Sequence, residues 1–449
     1  MKGATSGPVF VLIGAGSTVF TPGLLHDLAD SPVFADADVR LVDVAGEAAE
    51  TMAALGRRIA AAAGSRMRVT AVPDRREALA GARFVATTIA VGSAAAWRSD
   101  LDVPAAHGVL QTVGDSVGPG GVLRALRHVP ELLAIARDVA DVAPGALLVN
   151  YSNPLTANVR TITKHTPVTT IGLCHGSMHT RTALAAALGV DPARVTATFA
   201  GLNHLGWLLD LRTADEDLYP RLRALVEERS GGPDAPSSRS EGVHAPVSAD
   251  LLRTFGLYPA PGDRHVAEFF GGYLTARGDG QLAWGLQGGL DMTREYIEEK
   301  GRLWESLRAQ ADGTEPVAPA RNQEAERLVS IAAAVASGDT RVELAVNLPN
   351  QGLLPQLPAS AVVELPAVVS AAGIAGVAVP PLPEAVAAVL TARSLQQELV
   401  VDAAVSGSRS LALQALTLDP LVPDAATAGA ILDDAVAADR DRLGRFAAP

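Results

Sequence analysis

The chain of 449 residues contains a single cysteine, Cys174, which follows a short apolar run in the segment GLCHG. His204, in AGLNHLGW, ends another apolar run further along the chain. A thiolate and an imidazole are two donors for a divalent transition metal, and water and substrate oxygens can fill the remaining positions. Spacing alone makes no metal motif of this pair. The alternative is a buried structural cysteine and a hydrogen-bonded core histidine.

A glycine-containing turn near the start of the chain predicts a dinucleotide site. The run VFVLIGAGSTVF places Gly14, Gly16 and Ser17 between an apolar strand and a helix, where backbone N–H groups face a pyrophosphate. Val19 stands where the usual third glycine would be. Asp43 ends the second predicted strand, where a carboxylate accepts both ribose hydroxyls of NAD and repels the 2′-phosphate of NADP. The alternative is a tight turn followed by a capping aspartate.

These residues need a sheet to position them, and the first half of the chain alternates β-branched runs with helical patterns. The predicted fold class is therefore α/β, with a Rossmann-like doubly wound NAD-binding domain over residues 1–200. Residues 201–449 predict a second, α+β domain for substrate binding and oligomerisation, with a surface loop or flap at Arg229–Gly242. The predicted strands are Val9–Ile13, Val39–Val44, Met67–Ala71, Phe84–Ala90, Ala146–Tyr151 and Val168–Leu173. The predicted helices are Thr18–Ala29, Ala48–Ala63, Val122–Val139, one after Pro154, Gln323–Ala336 and Pro383–Asp402.

Composition narrows the class of protein. A net charge of -12 without clustered Lys or Arg leaves no general attraction for nucleic acid or anionic membranes. No apolar stretch of transmembrane length is free of Gly, Pro and charge. One cysteine makes no intramolecular disulfide, and the first apolar run has no cleavage site. We therefore expect a folded cytoplasmic protein that binds neither nucleic acid nor membrane.

Several segments together resemble glycoside hydrolase family 4, the NAD- and metal-dependent glycosidases. They cover nearly the whole chain: IGAGSTVF, QTVGDSVGPGGVLRALRHVP, VNYSNPLTANV, GLCHG, AGLNHLGW and VNLPNQGLLPQLPASAVVELP. The CH of GLCHG, in place of CD, is similar to members that act on non-phosphorylated sugars. The run FGLYPAPGDRHVAEFF, at residues 255–270, is similar to the α-galacturonidase branch.

The resemblance implies an oxidation-first mechanism. NAD takes hydride from C3 of the sugar, a base removes the C2 proton, the aglycone leaves C1, and the cofactor then returns the hydride. It implies that Cys174 and His204 hold Mn²⁺ or another divalent transition metal against the sugar oxygens. His175 takes the position of the general acid. Asp263 and His265, in the GDRH run, are the candidates for the base.

Three further residues are predicted to contact the substrate. Asn153 matches a family position that contacts the sugar hydroxyls, and its alternative is an Asx turn before Pro154. Asp115, in VGDSVGPGG, lies near the sugar or the nicotinamide, or caps the following helix. Arg264 is the candidate partner for a uronate carboxylate, and its alternative is a salt bridge with Glu268.

The predicted function is an NAD- and metal-dependent glycosidase for α-galacturonides or related non-phosphorylated glycosides, assembled as a homodimer or homotetramer. One alternative is an NAD-dependent dehydrogenase of the lactate or malate kind, which shares the nucleotide half but needs no cysteine ligand. Another is a sensor protein that binds NAD without turnover and without metal.

Overall fold

The structure is a computed structural model that describes residues 7–229, 231–235, 245–278, 280–319 and 327–448. The strands in these residues are β1 (Val9–Ile13), β2 (Asp38–Val42), β3 (Arg68–Ala71), β4 (Ala82–Thr87), β5 (Leu147–Asn150), β6 (Thr170–Gly172), β7 (Thr196–Leu202), β8 (Leu205–Arg212), β9 (Tyr258–Ala260), β10 (Arg341–Pro349), β11 (Val362–Ser370) and β12 (Gly373–Gly376).

Helices connect and cover these strands. Within the same residues they are α1 (Phe20–Asp30), α2 (Gly46–Ala63), α3 (Arg75–Leu79), α4 (Ser93–Ala106), α5 (Gly118–Val142), α6 (Leu155–His165), α7 (Gly176–Ala187), α8 (Tyr219–Arg229), α9 (Pro246–Phe255), α10 (Asp263–Val266), α11 (Gly289–Asp312), α12 (Leu328–Ser337), α13 (Glu384–Ser406), α14 (Arg409–Thr417), α15 (Ala425–Ala438) and α16 (Arg440–Leu443). Short 3₁₀ turns lie at Pro32–Phe34, Pro192–Arg194, Ala267–Phe269 and Gly444–Phe446.

The first six strands form the parallel part of the sheet, in the order β3-β2-β1-β4-β5-β6. This is the strand order of a doubly wound dinucleotide-binding fold, and it confirms the predicted fold class. The order reverses between β1 and β4. Ligands of such folds bind beyond the carboxyl ends of the strands at this reversal, which here lies just after Ile13 and Thr87.

Strands from the second half of the chain continue the same sheet. Beyond β6 the order is β10-β11-β7-β8-β9, with antiparallel pairing throughout and β12 added to β11. The domain boundary predicted at residue 200 falls inside β7. One row of paired residues crosses four strands, from Gly172 through Asn347 and Glu364 to Gly201. This row joins the strand that precedes Cys174 to the strand that precedes His204.

Each face of the parallel sheet has its own apolar core. Phe10 and Leu12 of β1 pack on one side with α1 and α2, whereas Val11 and Ile13 pack on the other side with α5. All four side chains are buried, because β1 is covered on both faces. Burial of each such side chain contributes roughly 1.5–3 kcal/mol to folding. The glycine turn after Ile13 is therefore held on a rigid strand.

Helix α5 starts earlier than the sequence predicts, at Gly118 instead of Val122. The VGPGG run is typical of a loop, but Pro119 suits the first turn of a helix. A Cβ on Gly120 would lie 2.9 Å from the carbonyl oxygen of Asp100, and one on Gly121 would lie 2.6 Å from the carbonyl carbon of Ser116. The glycines therefore serve close approach, which brings the preceding loop onto the helix.

Two predicted segments lie partly outside the described residues. The loop or flap predicted at Arg229–Gly242 includes residues 236–242, and the helix predicted from Gln323 includes residues 323–326. Among the described residues, that helix begins at Leu328. None of the helices described here is long and apolar enough to cross a membrane.

Candidate active site

Two adjoining cavities lie beyond the carboxyl ends of the parallel strands, with volumes of about 460 and 430 Å³. Both halves of the chain build their walls. The first cavity is lined by Cys174 and His175 from one half and by His204 and Arg264 from the other. The second cavity reaches Ser17 in the glycine turn. The two cavities share the side chains of Phe20, Asn153, Arg264, His265 and Met292.

Cys174 and His204 meet in the wall of the first cavity. Cys174 follows β6, while His204 lies in the two-residue turn between β7 and β8 with a φ of 65°, a left-handed conformation that costs about 1–3 kcal/mol. Their side chains are close enough for the charge of each to act on the other. Burial opposes the charge on each group. The imidazolium nevertheless lowers the pKa of the Cys174 thiol, and the thiolate, with Asp115 and Glu364, raises the pKa of His204 to about 9.

Asp115 and His265 complete a group of donors around His204. Donor atoms of these three residues lie within 4.8 Å of one another. Ser116 Oγ lies 2.8 Å from His204 Nδ1, and the rings of His204 and His265 are 4.0 Å apart. Cys174, in the same cavity wall, adds a sulfur donor to the nitrogen of His204 and the oxygen of Asp115, a set that fits a divalent transition metal such as Mn²⁺, Fe²⁺ or Zn²⁺. His265 lies beside this set as a further nitrogen donor or as a base. The sequence prediction of the Cys174–His204 pair did not include the other two.

Asp115 and Asn153 are held together at the junction of the two cavities. Asn153 Nδ2 donates to Asp115 Oδ2 at 2.8 Å, and Arg124 Nε donates to the Asn153 carbonyl at 3.0 Å. The helix-cap alternative for Asp115 is wrong, because Val117 occupies the cap position of α5 without a side-chain hydrogen bond. The Asn153 side chain contacts Asp115 in the cavity wall.

His175 lies in the wall of the first cavity, at the start of α7. Its ring stacks between Phe20, at a centroid distance of 6.3 Å, and His179, at 5.7 Å. This position allows contact with a ligand in the cavity. His179 lines the same cavity.

Asp263 has a structural use that the sequence interpretation missed. Its two carboxylate oxygens accept hydrogen bonds from the backbone N–H groups of Val247 and Ser248 and from Ser248 Oγ, at 2.6–2.8 Å. It therefore caps the first turn of α9 and is almost fully buried. Both predicted candidates for the base line the first cavity, and both oxygens of Asp263 are engaged with α9. Burial and the charges of His204 and Arg264 hold the pKa of His265 well below its usual value.

Arg264 does not form the alternative salt bridge with Glu268. Glu268 is buried and accepts three backbone N–H groups, those of Thr112, Val113 and Gly114, at 2.8–2.9 Å. The exposed guanidinium of Arg264 lies in the wall of both cavities, and its Nη1 is 3.4 Å from the sulfur of Met292. No carboxylate forms an ion pair with Arg264 in the described part of the chain. Its charge is thus available to a ligand.

The glycine turn has the geometry expected of a nucleotide site. Gly14 has a φ of 90°, and a Cβ there would lie 2.7 Å from the backbone nitrogen of Ile89. Gly16 N–H donates to Asp43 Oδ2 at 2.7 Å, and Ser17 Oγ accepts from the N–H of Phe20. Helix α1 follows directly. Val19, at the missing third glycine, points outward with 46% of its surface exposed, so close packing does not require glycine there.

Several polar residues of the site were not found from the sequence. Glu268 fixes the loop that carries Asp115, Arg124 binds the backbone beside it, and Glu364 is buried behind the Cys174–His204 pair. Each of these charged residues lies in a helix or a strand, where charged side chains usually face the solvent. Their place in the site was therefore not predicted. The signal was the presence of a glutamate inside two apolar runs, AEFF and VVELP.

Comparisons with known proteins agree with this geometry. Residues 9–190 match the family model for "Family 4 glycosyl hydrolase", and residues 199–422 match that for "Family 4 glycosyl hydrolase C-terminal domain". An alpha-galactosidase from Rhizobium meliloti is 32% identical over 439 residues, covering 92% of this chain and 83% of the relative. An alpha-galacturonidase from Bacillus subtilis is 31% identical over 424 residues, covering 91% and 92%.

Among solved structures, a 6-phospho-alpha-glucosidase from gut microorganisms, crystallised with NAD and Mn²⁺, has a TM-score of 0.82 to this chain. The sequence identity is 20%, and the match covers 97% of this chain and 99% of the other. At this identity the likeness shows a shared fold.

Proposed function

Because this chain belongs to family 4 of the glycosyl hydrolases and is a glycoside hydrolase, we propose that it cleaves α-galacturonides with the help of NAD and Mn²⁺. The observation that carries the proposal is that Cys174 and His204 line the same wall of a cavity that adjoins the one reaching the glycine turn. NAD and Mn²⁺ occur in a solved relative of the same fold. When bound, NAD⁺ supplies a hydride acceptor, and the divalent cation supplies a Lewis acid for the sugar oxygens.

The nucleotide would lie across the reversal point of the sheet. The turn of Gly14, Gly16 and Ser17 would bring the pyrophosphate against the start of α1, and Asp43 would accept the ribose hydroxyls. The nicotinamide end would then enter the second cavity. The sugar would lie in the first cavity beside the cation donors, where Asn153, which lines both cavities, would contact its hydroxyls.

Two histidines would move the protons. The low pKa of His265 keeps its imidazole neutral at neutral pH, the form that takes the proton from C2 of the sugar. His175, which lines the same cavity and stacks on Phe20, would donate a proton to the glycosidic oxygen. Cys174 and His204 would hold the cation, with Asp115 beside His204.

The choice of a uronide depends on Arg264. Its guanidinium lines both cavities and forms no ion pair with a carboxylate in the described ranges, so a sugar carboxylate is a suitable partner. A relative named alpha-galacturonidase is 31% identical over most of the chain, and one named alpha-galactosidase is 32% identical. The two substrates differ at C6, where only the galacturonide carries a negative charge.

The reaction class is tested with p-nitrophenyl α-galacturonide, α-glucuronide, α-galactoside and α-glucoside, each assayed with NAD⁺, Mn²⁺ and a thiol reductant withheld separately. We expect p-nitrophenol release that requires NAD⁺ and Mn²⁺, without net NADH. Accumulation of NADH without cleavage would identify a dehydrogenase instead. NAD binding without metal binding or turnover would identify a sensor.

The uronide assignment is tested with Arg264→Gln. A charge-assisted hydrogen bond contributes about 1.5–3 kcal/mol, so kcat/KM for the galacturonide should fall about 10-fold to 100-fold, while that for the galactoside changes little. Arg302→Gln, at an exposed position on α11, is the matched control. Equal losses on both substrates would show that Arg264 does not read the carboxylate.

A further inference from the structure

A buried glutamate on β11, Glu364, lies behind the candidate cation site and has no role in the proposed mechanism. Its side chain is only 4% exposed. Its carboxylate accepts hydrogen bonds from Ser177 Oγ at 2.7 Å, from Asn347 Nδ2 at 2.8 Å and from Asn203 Nδ2 at 3.2 Å. All three donors are neutral. Over the ranges that the structure describes, no Lys or Arg forms an ion pair with Glu364.

A second buried glutamate, on the neighbouring strand, has its negative charge balanced by arginine side chains. Glu343 on β10 is 2% exposed, and it forms ion pairs with Arg327 at 3.2 Å and Arg341 at 2.6 Å. A buried carboxylate without such a partner carries a desolvation cost of several kcal/mol that hydrogen bonds offset only in part. Among the described residues, the positive charge that acts on Glu364 is that of the His204 imidazolium, and a cation held by Cys174 and His204 would take its place.

The three donors belong to the segments that carry the cation ligands. Ser177 is in the first turn of α7, three residues after Cys174, and Asn203 directly precedes His204. Asn347 is the partner of Glu364 in the row of residues that crosses β6, β10, β11 and β7. One carboxylate thus ties both ligand segments to the sheet.

The same carboxylate is also close enough to act electrostatically on both the Cys174 thiol and the His204 imidazole. The Cys174 thiolate and the carboxylates of Asp115 and Glu364 would then all lie near the position where the cation binds. A divalent cation balances this charge more fully than the single charge of the His204 imidazolium, and outer carboxylates of this kind both orient metal ligands and strengthen metal binding.

We propose that Glu364 is a positioning residue for the divalent cation: it fixes the segments that carry Cys174 and His204 and supplies buried negative charge to the cation that they hold. The inference rests on the metal site of the proposed function. It assigns Glu364 no contact with substrate or cofactor.

The test separates charge from geometry with Glu364→Gln. The glutamine oxygen can accept from Asn203 and Asn347, and its amide can donate to Ser177 Oγ, so all three hydrogen bonds are retained while the charge is lost. The full chain is titrated with Mn²⁺ in the presence of NAD⁺, and free Mn²⁺ is followed by electron paramagnetic resonance. We expect the Kd for Mn²⁺ to rise about 10-fold to 100-fold, with little change in Tm or NAD⁺ affinity. Glu398→Gln, which removes the same charge from a partly exposed ion pair with Arg160 and Lys164, is the control.

A second variant keeps the test decisive if the glutamine protein is unstable. Ser177→Ala removes one hydrogen bond to Glu364 and leaves its charge, and it should weaken Mn²⁺ binding by a smaller factor. Co²⁺ in place of Mn²⁺ adds a spectroscopic readout, because thiolate coordination by Cys174 gives charge-transfer absorption that should change with the position of the ligand segments.

The outcomes are distinguishable. If the unaltered protein binds no Mn²⁺, the metal site of the proposed function fails. If it binds Mn²⁺ and neither Glu364→Gln nor Ser177→Ala changes the Kd or the Co²⁺ spectrum, the proposal for Glu364 is overturned. A fall in Tm with unchanged Mn²⁺ affinity would also overturn it, since Glu364 would then be structural only.

Discussion

Asp43 should determine whether the protein prefers NAD⁺ to NADP⁺, and the change Asp43→Asn tests this. Its Oδ2 accepts the Gly16 N–H at 2.7 Å and its Oδ1 accepts the Ala45 N–H at 2.9 Å. Each oxygen keeps a lone pair for one ribose hydroxyl. Asparagine retains an oxygen for Gly16 but replaces the second acceptor with a donor and removes the charge.

The size of the effect follows from these hydrogen bonds. A hydrogen bond to a charged group contributes about 1.5–3 kcal/mol and a neutral one about 0.5–1.5 kcal/mol, so the loss should be about 1–3 kcal/mol. The Kd for NAD⁺ should rise about 5-fold to 100-fold. The affinity for NADP⁺ should stay the same or increase. The 2′-phosphate of this nucleotide no longer faces a carboxylate, and the Ala45 N–H is free to bind the phosphate.

Isothermal titration calorimetry with each nucleotide on the full chain measures both constants. Asp74→Asn is the matched control, since Asp74 accepts the Glu77 N–H at 2.8 Å as a helix cap in the same part of the sheet. An unchanged Kd for NAD⁺, or an equal loss of both nucleotides, would refute the assignment of Asp43 to the ribose.

The remaining predictions concern the metal, a buried carboxylate and the glycine turn. Cys174→Ser should abolish both Mn²⁺ binding and Mn²⁺-dependent turnover at an unchanged Tm; full Mn²⁺ affinity would remove the thiol from the ligand set. Burial, which outweighs its hydrogen bonds, raises the pKa of Asp263 to about 6, so the folded state holds this proton more tightly than the unfolded state. Asp263 should therefore lower the free energy of unfolding as the pH rises from about 4 to about 6, and denaturant titrations should show that Asp263→Asn lacks this part of the slope. Gly14→Ala should lower Tm and weaken NAD⁺ binding, because its Cβ would meet Ile89 N at 2.7 Å; Gly64→Ala, with a φ of 66° and open space around it, should show the backbone strain alone.

Local patterns predicted the parallel half of the sheet well. Each of its strands is a short apolar run between helices, and burial on both faces makes such runs visible in the sequence. The insertion of β10 and β11 between β6 and β7 was not predictable. It depends on pairing between residues such as Gly172 and Asn347, which are far apart in the chain.

In the candidate site, too, some contacts were predicted from the sequence and others were not. Cys174 and His204 were predicted as partners, and the structure brings both to the wall of one cavity. The helix-capping contacts of Asp263 were not predicted, because a buried carboxylate that caps a helix and one that acts as a base look alike in a sequence. Only the partners of each oxygen distinguish them, and here both oxygens bind α9.

The position of β10 beside β6 has a consequence for synthesis of the chain on the ribosome. β6 ends at Gly172, and its partner strand begins only at Arg341. At about 5–20 residues per second, the nascent chain waits roughly ten to thirty seconds before this edge can be paired. An unpaired edge invites association with other chains, but β6 offers only Thr170–Gly172. Because β6 is only three residues long, the incomplete chain exposes few unpaired backbone groups with which other chains could associate.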